Sequence, residues 1–148
     1  MADIQDSLII NKPLEEVFSY TANMENAPKI MENVVEIEKL TDGSTQVGSR
    51  FKETREIRGR KASSIIEFVE YTPNKSYAVQ SETNGLKVVY YYDFQAVEGG
   101  TAVEFKGDIF TTGLVMKLTK PIIRKILKKE DGGHLKQLKS LLEATEEK

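Results

Sequence analysis

The sequence predicts an α+β fold, in which a curved antiparallel β-sheet wraps around a long C-terminal α-helix. From Val34 to Thr112, apolar and polar residues alternate with a period of two, which is typical of strands with one buried face. From Leu114 to Leu142, apolar residues instead recur at helical spacing. A long helix that follows a run of strands needs a curved sheet to pack in. The gap left between the two predicts a ligand pocket.

The N-terminal part adds one strand and two short helices. Ile4, Leu8 and Ile10 occupy alternate positions and predict a first strand with one face inward. Pro13 suits the first position of a helix, because that position needs no backbone N–H donor. A second short helix is predicted from Met24 to Met31, with a break at Pro28.

Turn signals divide the alternating region into about six antiparallel strands. Asn84-Gly85 predicts a two-residue hairpin, and Glu98-Gly99-Gly100 predicts a further turn. The orientation of the strand from Ser63 to Tyr71 stays open, because both of its faces are half apolar. The residues from Leu86 to Ala96 form the longest alternating apolar face in the chain. We expect Tyr90, Tyr92 and Phe94 to point inward there, and Lys87, Asp93 and Gln95 outward.

The strand from Gly48 to Arg58 carries two charges on its apolar face. Glu53 and Arg55 lie at alternate positions with Phe51 and Ile57, so all four share one face. A charge that faces an apolar interior costs several kcal/mol unless it is paired or wet. Either the two charges lie at a wet end of the strand, or they form a site. In a site, Arg55 would bind a ligand carboxylate or carbonyl group and Glu53 would act as a base.

The aromatic residues on the inward face of the sheet also allow two interpretations. Tyr90, Tyr92, Phe94 and Phe105 are most simply core residues. Alternatively, Tyr90 and Tyr92 project their phenol hydroxyls into a cavity and orient a ligand, because buried hydroxyls seek hydrogen-bond partners.

The C-terminal helix has an apolar side and a basic side. Met116, Ile123 and Leu127 mark the apolar side, and Pro121 and Gly132-Gly133 are points where the helix can bend. His134 falls on the apolar side, where it is either a structural residue or an acid or base near Glu53 or a tyrosine. The basic side, from Lys117 to Lys129, is either a solvated face or a weak contact with anionic lipid headgroups.

Composition excludes several classes of protein. The 148 residues predict a single domain, 1–148, and the net charge of −2 favours neither nucleic acid nor acidic partners. With no cysteine and one histidine, thiolate catalysis and multi-histidine metal sites are excluded. We see no signal peptide, no 18-residue apolar run and no phosphate-binding loop, and we expect a cytoplasmic protein without a metal or cofactor.

Several short stretches resemble landmarks of the helix-grip superfamily, also called START-like or SRPBCC. They are Ser7–Phe18, Val47–Phe51, Glu70–Asn74 and Gly99–Val103. That group includes polyketide cyclase/dehydrase-like, coenzyme-Q-binding and birch-pollen-allergen-like proteins. The resemblance covers almost the whole chain and implies a cavity for a hydrophobic ligand. Many relatives carry a tryptophan in the region Pro28–Met31, and this chain has none.

The resulting hypothesis is a domain that binds a small, largely hydrophobic molecule that is lipid-, quinone- or polyketide-like. One alternative is a polyketide cyclase or dehydratase with Glu53, Arg55 and His134 as catalytic candidates, which a convergence of the three in a closed pocket would favour. The other is a chaperone-activating interaction module, which a filled cavity and an exposed apolar patch would favour. The oligomeric state stays open. The predicted ligand-contact residues are Phe51, Glu53, Arg55, Ile57, Phe68, Tyr77, Tyr90, Tyr92, Phe94, Phe105, Met116, Ile123 and Leu127.

Overall fold

A computed structural model describes residues 2–83 and 85–144, and in these residues seven antiparallel strands form one curved sheet. The order across the sheet is β1-β7-β6-β5-β4-β3-β2, so the first strand pairs with the last. The strands are β1 (Ile4–Ile10), β2 (Val34–Lys39), β3 (Arg50–Ile57), β4 (Arg60–Thr72), β5 (Ser76–Thr83), β6 (Leu86–Val97) and β7 (Gly100–Thr111). The helices are α1 (Leu14–Ala22), a 3-10 turn (Met24–Asn26), α2 (Ala27–Ile30), α3 (Leu114–Asp131) and α4 (His134–Ala144).

The predicted facing of β6 is confirmed. Tyr90, Tyr92 and Phe94 are buried on the concave side, whereas Asp93 and Gln95 are exposed. At the start of the strand, Thr83 pairs with Leu86, as a two-residue hairpin loop requires. Gly85 has a φ of 84°, which suits glycine, and Asn84 lies outside the described residues.

A β-bulge explains why β4 could not be oriented from its sequence. Ile66 and Phe68 are buried on the concave face, and the register with β5 shifts between Phe68 and Glu70. The extra residue brings Tyr71 back to the concave side, where its ring centre lies 5.9 Å from that of Phe68. A strict period of two therefore fails within this strand.

Two details of the short helices differ from the prediction, and one detail of the long helix agrees with it. Pro13 is the residue that precedes α1 rather than its first position, and Pro28 lies in the first turn of α2 rather than breaking a helix. Proline is tolerated there because the first turn leaves its N–H groups unpaired. The long C-terminal helix is divided at Gly132-Gly133 into α3 and α4. A Cβ on Gly132 would lie 2.3 Å from the carbonyl oxygen of Lys128, so no other residue fits at position 132 without a shift, whereas a Cβ on Gly133 would meet nothing within 4 Å.

The two C-terminal helices are packed very differently. α4 buries Leu135, Leu138 and Leu142 in the core cluster, together with Phe18 of α1. Of the described residues of α3, only Asp131 is buried. The apolar side predicted for this helix is therefore split between a cavity and solvent. The exposed apolar residues of α3 are Leu114, Val115, Leu118, Ile122 and Ile126. Among the described helices, none is both long enough and apolar enough to cross a bilayer.

Candidate ligand-binding site

A cavity of about 260 Å³ lies between the concave face of the sheet and α3. Strands β3 to β6 form its floor, α3 forms one wall through Ile123 and Leu127, and the segment from Met24 to Met31 closes one side. Most of the lining is apolar, because the inward positions of these strands carry side chains such as Ile66 and Val79. The cavity exists because α3 does not descend onto the sheet as α4 does.

A buried ion cluster occupies one end of the cavity. Nε of Arg55 donates to Oε1 of Glu53 at 2.6 Å, and Nη1 donates to both carboxylate oxygens of Asp131 at 2.8 Å. Nη2 of Arg55 points at the sulfur of Met31, 3.5 Å away. Asp131 is fully buried and Glu53 is 5% exposed. Burial by itself lowers the pKa of Arg55, but Glu53 and Asp131 outweigh it and hold that pKa above its ordinary value.

Tyr90 extends this cluster across the sheet. Its hydroxyl donates to Oδ2 of Asp131 at 2.5 Å, and burial, followed by the negative charge of Asp131, raises the tyrosine pKa well above its ordinary value. The ring lies over Gly107 of β7, where an added Cβ would sit 2.9 Å from Cε1 of Tyr90. Gly107 therefore leaves the space that lets the phenol reach Asp131.

A second pair lies beside the first. Nδ1 of His134 is 2.5 Å from the backbone oxygen of Asp131, and Nε2 is 2.8 Å from the hydroxyl of Tyr92. Burial lowers the pKa of His134, so the neutral imidazole is the form at neutral pH. A carbonyl oxygen can only accept, so Nδ1 carries the proton, and Tyr92 donates to Nε2. Asp131 and His134 flank the helix junction at Gly132-Gly133, and both line the cavity.

Nine of the predicted site residues line the cavity and five do not. Those that line it are Glu53, Arg55, Ile57, Tyr77, Tyr90, Tyr92, Ile123, Leu127 and His134. Four aromatic residues are core instead, because α1, α4 and neighbouring rings cover them: Phe51, Phe68, Phe94 and Phe105. Met116 lies near Gly85 at the start of α3 and does not itself line the cavity.

Asp131 is the main residue that the sequence reasoning missed. It continues the row of Ile123 and Leu127 at spacings of four residues, so it falls near the inward side of α3. An acidic residue on the inward side of the helix, directly before two glycines, is the feature of the sequence that could have indicated its role. No residue of the segment from Met24 to Met31 was among the predicted ligand contacts, although four residues of it line the cavity. It includes the region where a tryptophan is absent.

The predicted role of Arg55 as an anchor for a ligand carboxylate meets a physical obstacle. Two protein carboxylates already accept from its Nε and Nη1 atoms. A carboxylate binds arginine in bidentate fashion through Nε and Nη2 or through Nη1 and Nη2. One donor of each of these pairs is already engaged, so neither pair is free for a bidentate ligand carboxylate. A ligand carboxylate would have to displace Glu53 or Asp131.

The described residues also bear on metal binding. Within residues 2–83 and 85–144, no group of three or more His, Asp or Glu side chains is arranged to hold a metal ion. The carboxylates of Glu53 and Asp131 are instead neutralised in part by Arg55.

Comparison with known proteins agrees with this geometry. The model of the family described as "Polyketide cyclase / dehydrase and lipid transport" matches residues 1–143. Among solved structures, the Zhui aromatase/cyclase from Streptomyces sp. R1128 is 11% identical with a TM-score of 0.78, and the match covers 95% of this chain and 92% of that one. Ara h 8.0201 is 17% identical with a TM-score of 0.74, and the match covers 95% and 96% of the two chains.

A third similar structure has two domains. The di-domain ARO/CYC StfQ from the steffimycin biosynthetic pathway is 12% identical with a TM-score of 0.76, and the match covers 99% of this chain and 53% of that one. At these identities the likeness concerns the fold alone. None of the curated proteins compared with the chain matches it.

Proposed function

The chain belongs to the polyketide cyclase / dehydrase and lipid transport family, and we propose that it acts as one domain that binds a small, largely hydrophobic molecule in its cavity. The observation that carries the proposal is a mostly apolar cavity with a few convergent polar groups at one end. Pockets of this kind bury the apolar body of a ligand and orient it through the polar groups. A lipid, a quinone or a polyketide has this mixture of chemistry.

The size of the cavity limits the ligand. A volume of about 260 Å³ lies just below the range of about 300–1,000 Å³ that is usual for ligand pockets. A two- or three-ring aromatic molecule, or a short acyl chain, fits such a volume. A long acyl chain requires α3 to move outward, and this helix has few buried residues that resist the movement.

Two adjacent serines give a matched test. Ser64 lines the cavity, and Ser63, its neighbour in β4, is exposed on the opposite face. Titration with N-phenyl-1-naphthylamine, a neutral probe that fluoresces in apolar surroundings, measures occupancy. We expect Ser64→Trp to weaken probe binding by about tenfold or more, the effect of overfilling a packed space, while Ser63→Trp binds like the wild type. Equal binding by both variants would place the site elsewhere, and no binding by the wild type would refute the proposal.

An enzyme of the cyclase or dehydratase type is the second candidate. Its supporting observation is that Glu53, Arg55 and His134 do converge, at the end of one cavity and together with Tyr90 and Tyr92. In a cyclisation, Glu53 would remove a proton from the carbon between two carbonyl groups, and that carbon would attack a further carbonyl carbon. Tyr92 would have to turn from His134 to protonate the resulting oxygen. We place binding first because this donor is already engaged.

Turnover of a poly-β-ketone substrate, followed by the absorbance of its aromatic product, tests the enzyme. Glu53→Gln should abolish product formation, because the amide cannot accept the proton. Glu56→Gln is the matched control, since Glu56 is exposed on the other face of β3. Product formation by Glu53→Gln at the wild-type rate would rule out Glu53 as the base.

The exposed apolar arc of α3 supports a proposal for a partner surface. Leu118 and Ile122 are 71% and 61% exposed, and Lys125 and Lys129 lie on the same part of the helix surface. Exposed apolar residues flanked by lysines on one helix fit the interface of an anionic bilayer, which takes up the apolar side chains and attracts the positive charge. We therefore assign an anionic lipid surface, rather than a chaperone, to this arc.

A further inference from the structure

The polar end of the cavity presents mainly hydrogen-bond acceptors, because all but one of the donor atoms of its Arg55 and tyrosine side chains donate to protein oxygen or nitrogen atoms. The exception is Nη2 of Arg55, which faces the sulfur of Met31, a weak acceptor. Arg55 donates to Glu53 and Asp131, Tyr90 donates to Asp131, and Tyr92 donates to His134. The phenols of Tyr90 and Tyr92 stay protonated at neutral pH, since burial raises both of their pKa values. Each phenol oxygen then keeps a lone pair that no donor within the cluster uses.

Glu53 offers the strongest of these acceptors. Its Oε1 accepts from Arg55, whereas no hydrogen bond from residues 2–83 and 85–144 reaches Oε2. The side chain is 6% exposed and lies at the cavity surface. A ligand that fills the cavity displaces the water around this oxygen, so a donor on the ligand is needed to replace the lost hydrogen bonds and would be stabilised there.

The formal charge of the polar end is negative, which also favours a hydrogen-bond donor on the ligand. One guanidinium faces two carboxylates, which leaves a charge of −1, and His134 is neutral. Among the described residues that line the cavity, Glu53, Arg55, Asp131 and His134 are those with an acidic or basic side chain. The exposed lysines of α3 are screened by water and salt, whereas the buried carboxylates are screened much less.

We infer that the polar end of the cavity selects a ligand with an uncharged hydroxyl group, such as a phenol or an alcohol, and rejects a carboxylate. The hydroxyl donates to Oε2 of Glu53, the acceptor that has no protein donor. A carboxylate would bring a second unpaired negative charge into a space of low dielectric, at a cost that grows as the distance shrinks. Ser64 lies opposite Glu53 in β4. Its hydroxyl is uncharged and can either donate or accept, so it leaves the negative charge of the polar end unchanged. This inference rests on the proposed function, because it names the class of molecule for the same cavity.

Three naphthalenes of nearly equal size separate the inference from the proposed function. Displacement of N-phenyl-1-naphthylamine from the wild-type protein is measured with 2-naphthol, 2-methoxynaphthalene and 2-naphthoate at pH 7.5. We expect 2-naphthol to displace the probe at a concentration about tenfold lower than 2-naphthoate, the effect of a hydrogen bond to a charged group. We expect 2-methoxynaphthalene, which has no donor, to fall between the two.

The outcomes are distinct. Binding of 2-naphthoate as tight as that of 2-naphthol, or tighter, overturns the inference and leaves the proposed function standing. Equal binding of 2-naphthol and 2-methoxynaphthalene overturns the role of the donor. If the wild-type protein binds neither the probe nor any of the three naphthalenes, the proposed function itself is refuted. Glu53→Gln removes one negative charge, so it should narrow the preference for 2-naphthol to about threefold or less. The series on the wild-type protein decides the question if that variant does not fold.

Discussion

Replacement of Arg55 by methionine tests how the ion cluster stabilises the fold. The variant keeps a side chain of similar length but leaves Glu53 and Asp131 as two buried carboxylates without a counter-charge. Removing one partner of a buried ion pair costs about 3–5 kcal/mol. Small domains unfold with a total free energy of about 5–15 kcal/mol, so a loss of this size is a large share of the stability. Urea unfolding at pH 7.5, followed by far-UV circular dichroism, measures the free energy of unfolding for each protein.

Arg50→Met is the matched control for this experiment. Arg50 is in the same strand and pairs with Glu67, but 58% of its side chain is exposed. Exposed pairs contribute about 0–1 kcal/mol, so this change should have little effect. A double variant provides a further test. The loss in the free energy of unfolding for Arg55→Met combined with Asp131→Asn should be smaller than the sum of the losses for the two single variants, because the two side chains interact directly. Equal losses for Arg55→Met and Arg50→Met would refute the reasoning.

Two further predictions concern pH and membranes. Because burial lowers the pKa of His134 from its ordinary value of 6.5, the unfolded chain binds a proton there that the folded protein does not, and stability should fall as the pH decreases below about 6.5, by at most about 1.4 kcal/mol per pH unit. Urea unfolding between pH 7.5 and 5 measures this slope, and a slope that His134→Gln leaves unchanged would assign it to another group. In flotation with phosphatidylglycerol vesicles, the double change Leu118→Asp and Ile122→Asp should reduce the bound fraction by about fivefold or more, whereas Val47→Asp, at a residue that is also exposed but lies before β3, should not. No binding by the wild-type protein would exclude the lipid surface.

Local patterns were enough to predict most of the sheet. The alternation in β6 fixed which face of the strand is buried, since a slip of one residue would have exposed Tyr90 and Tyr92. The same patterns could not tell a cavity wall from the core. Phe94 and Phe105 share the concave face with Tyr90, yet α1 and α4 cover them and leave Tyr90 at the cavity. Which part of a concave face stays open depends on how the helices pack, and no period within a strand carries that information.

The ion cluster likewise could be predicted only in part from local sequence patterns. Glu53 and Arg55 were found because they are two residues apart in one strand. Asp131 completes the cluster from 76 residues away, where its local sequence resembles the polar end of a helix. A buried carboxylate is stable only with its partner, so the burial of Asp131 is a property of the assembled fold. Sequence spacing places it near the inward side of α3 but does not pair it with Arg55.

The sparse packing of α3 has a consequence for the rate at which a ligand enters and leaves. The helix lies between Gly113, which has a φ of 87°, and the junction at Gly132-Gly133. Asp131 is the one buried residue among those described in it. Outward movement of the last turn of α3 would separate Asp131 from Arg55 and Tyr90, so opening at that end requires the rupture of a buried ion pair, whereas the first turns of the helix are free of this restraint. Exchange of the contents of the cavity is therefore expected to begin at the N-terminal end of α3, with amide hydrogens there exchanging faster than those near Asp131.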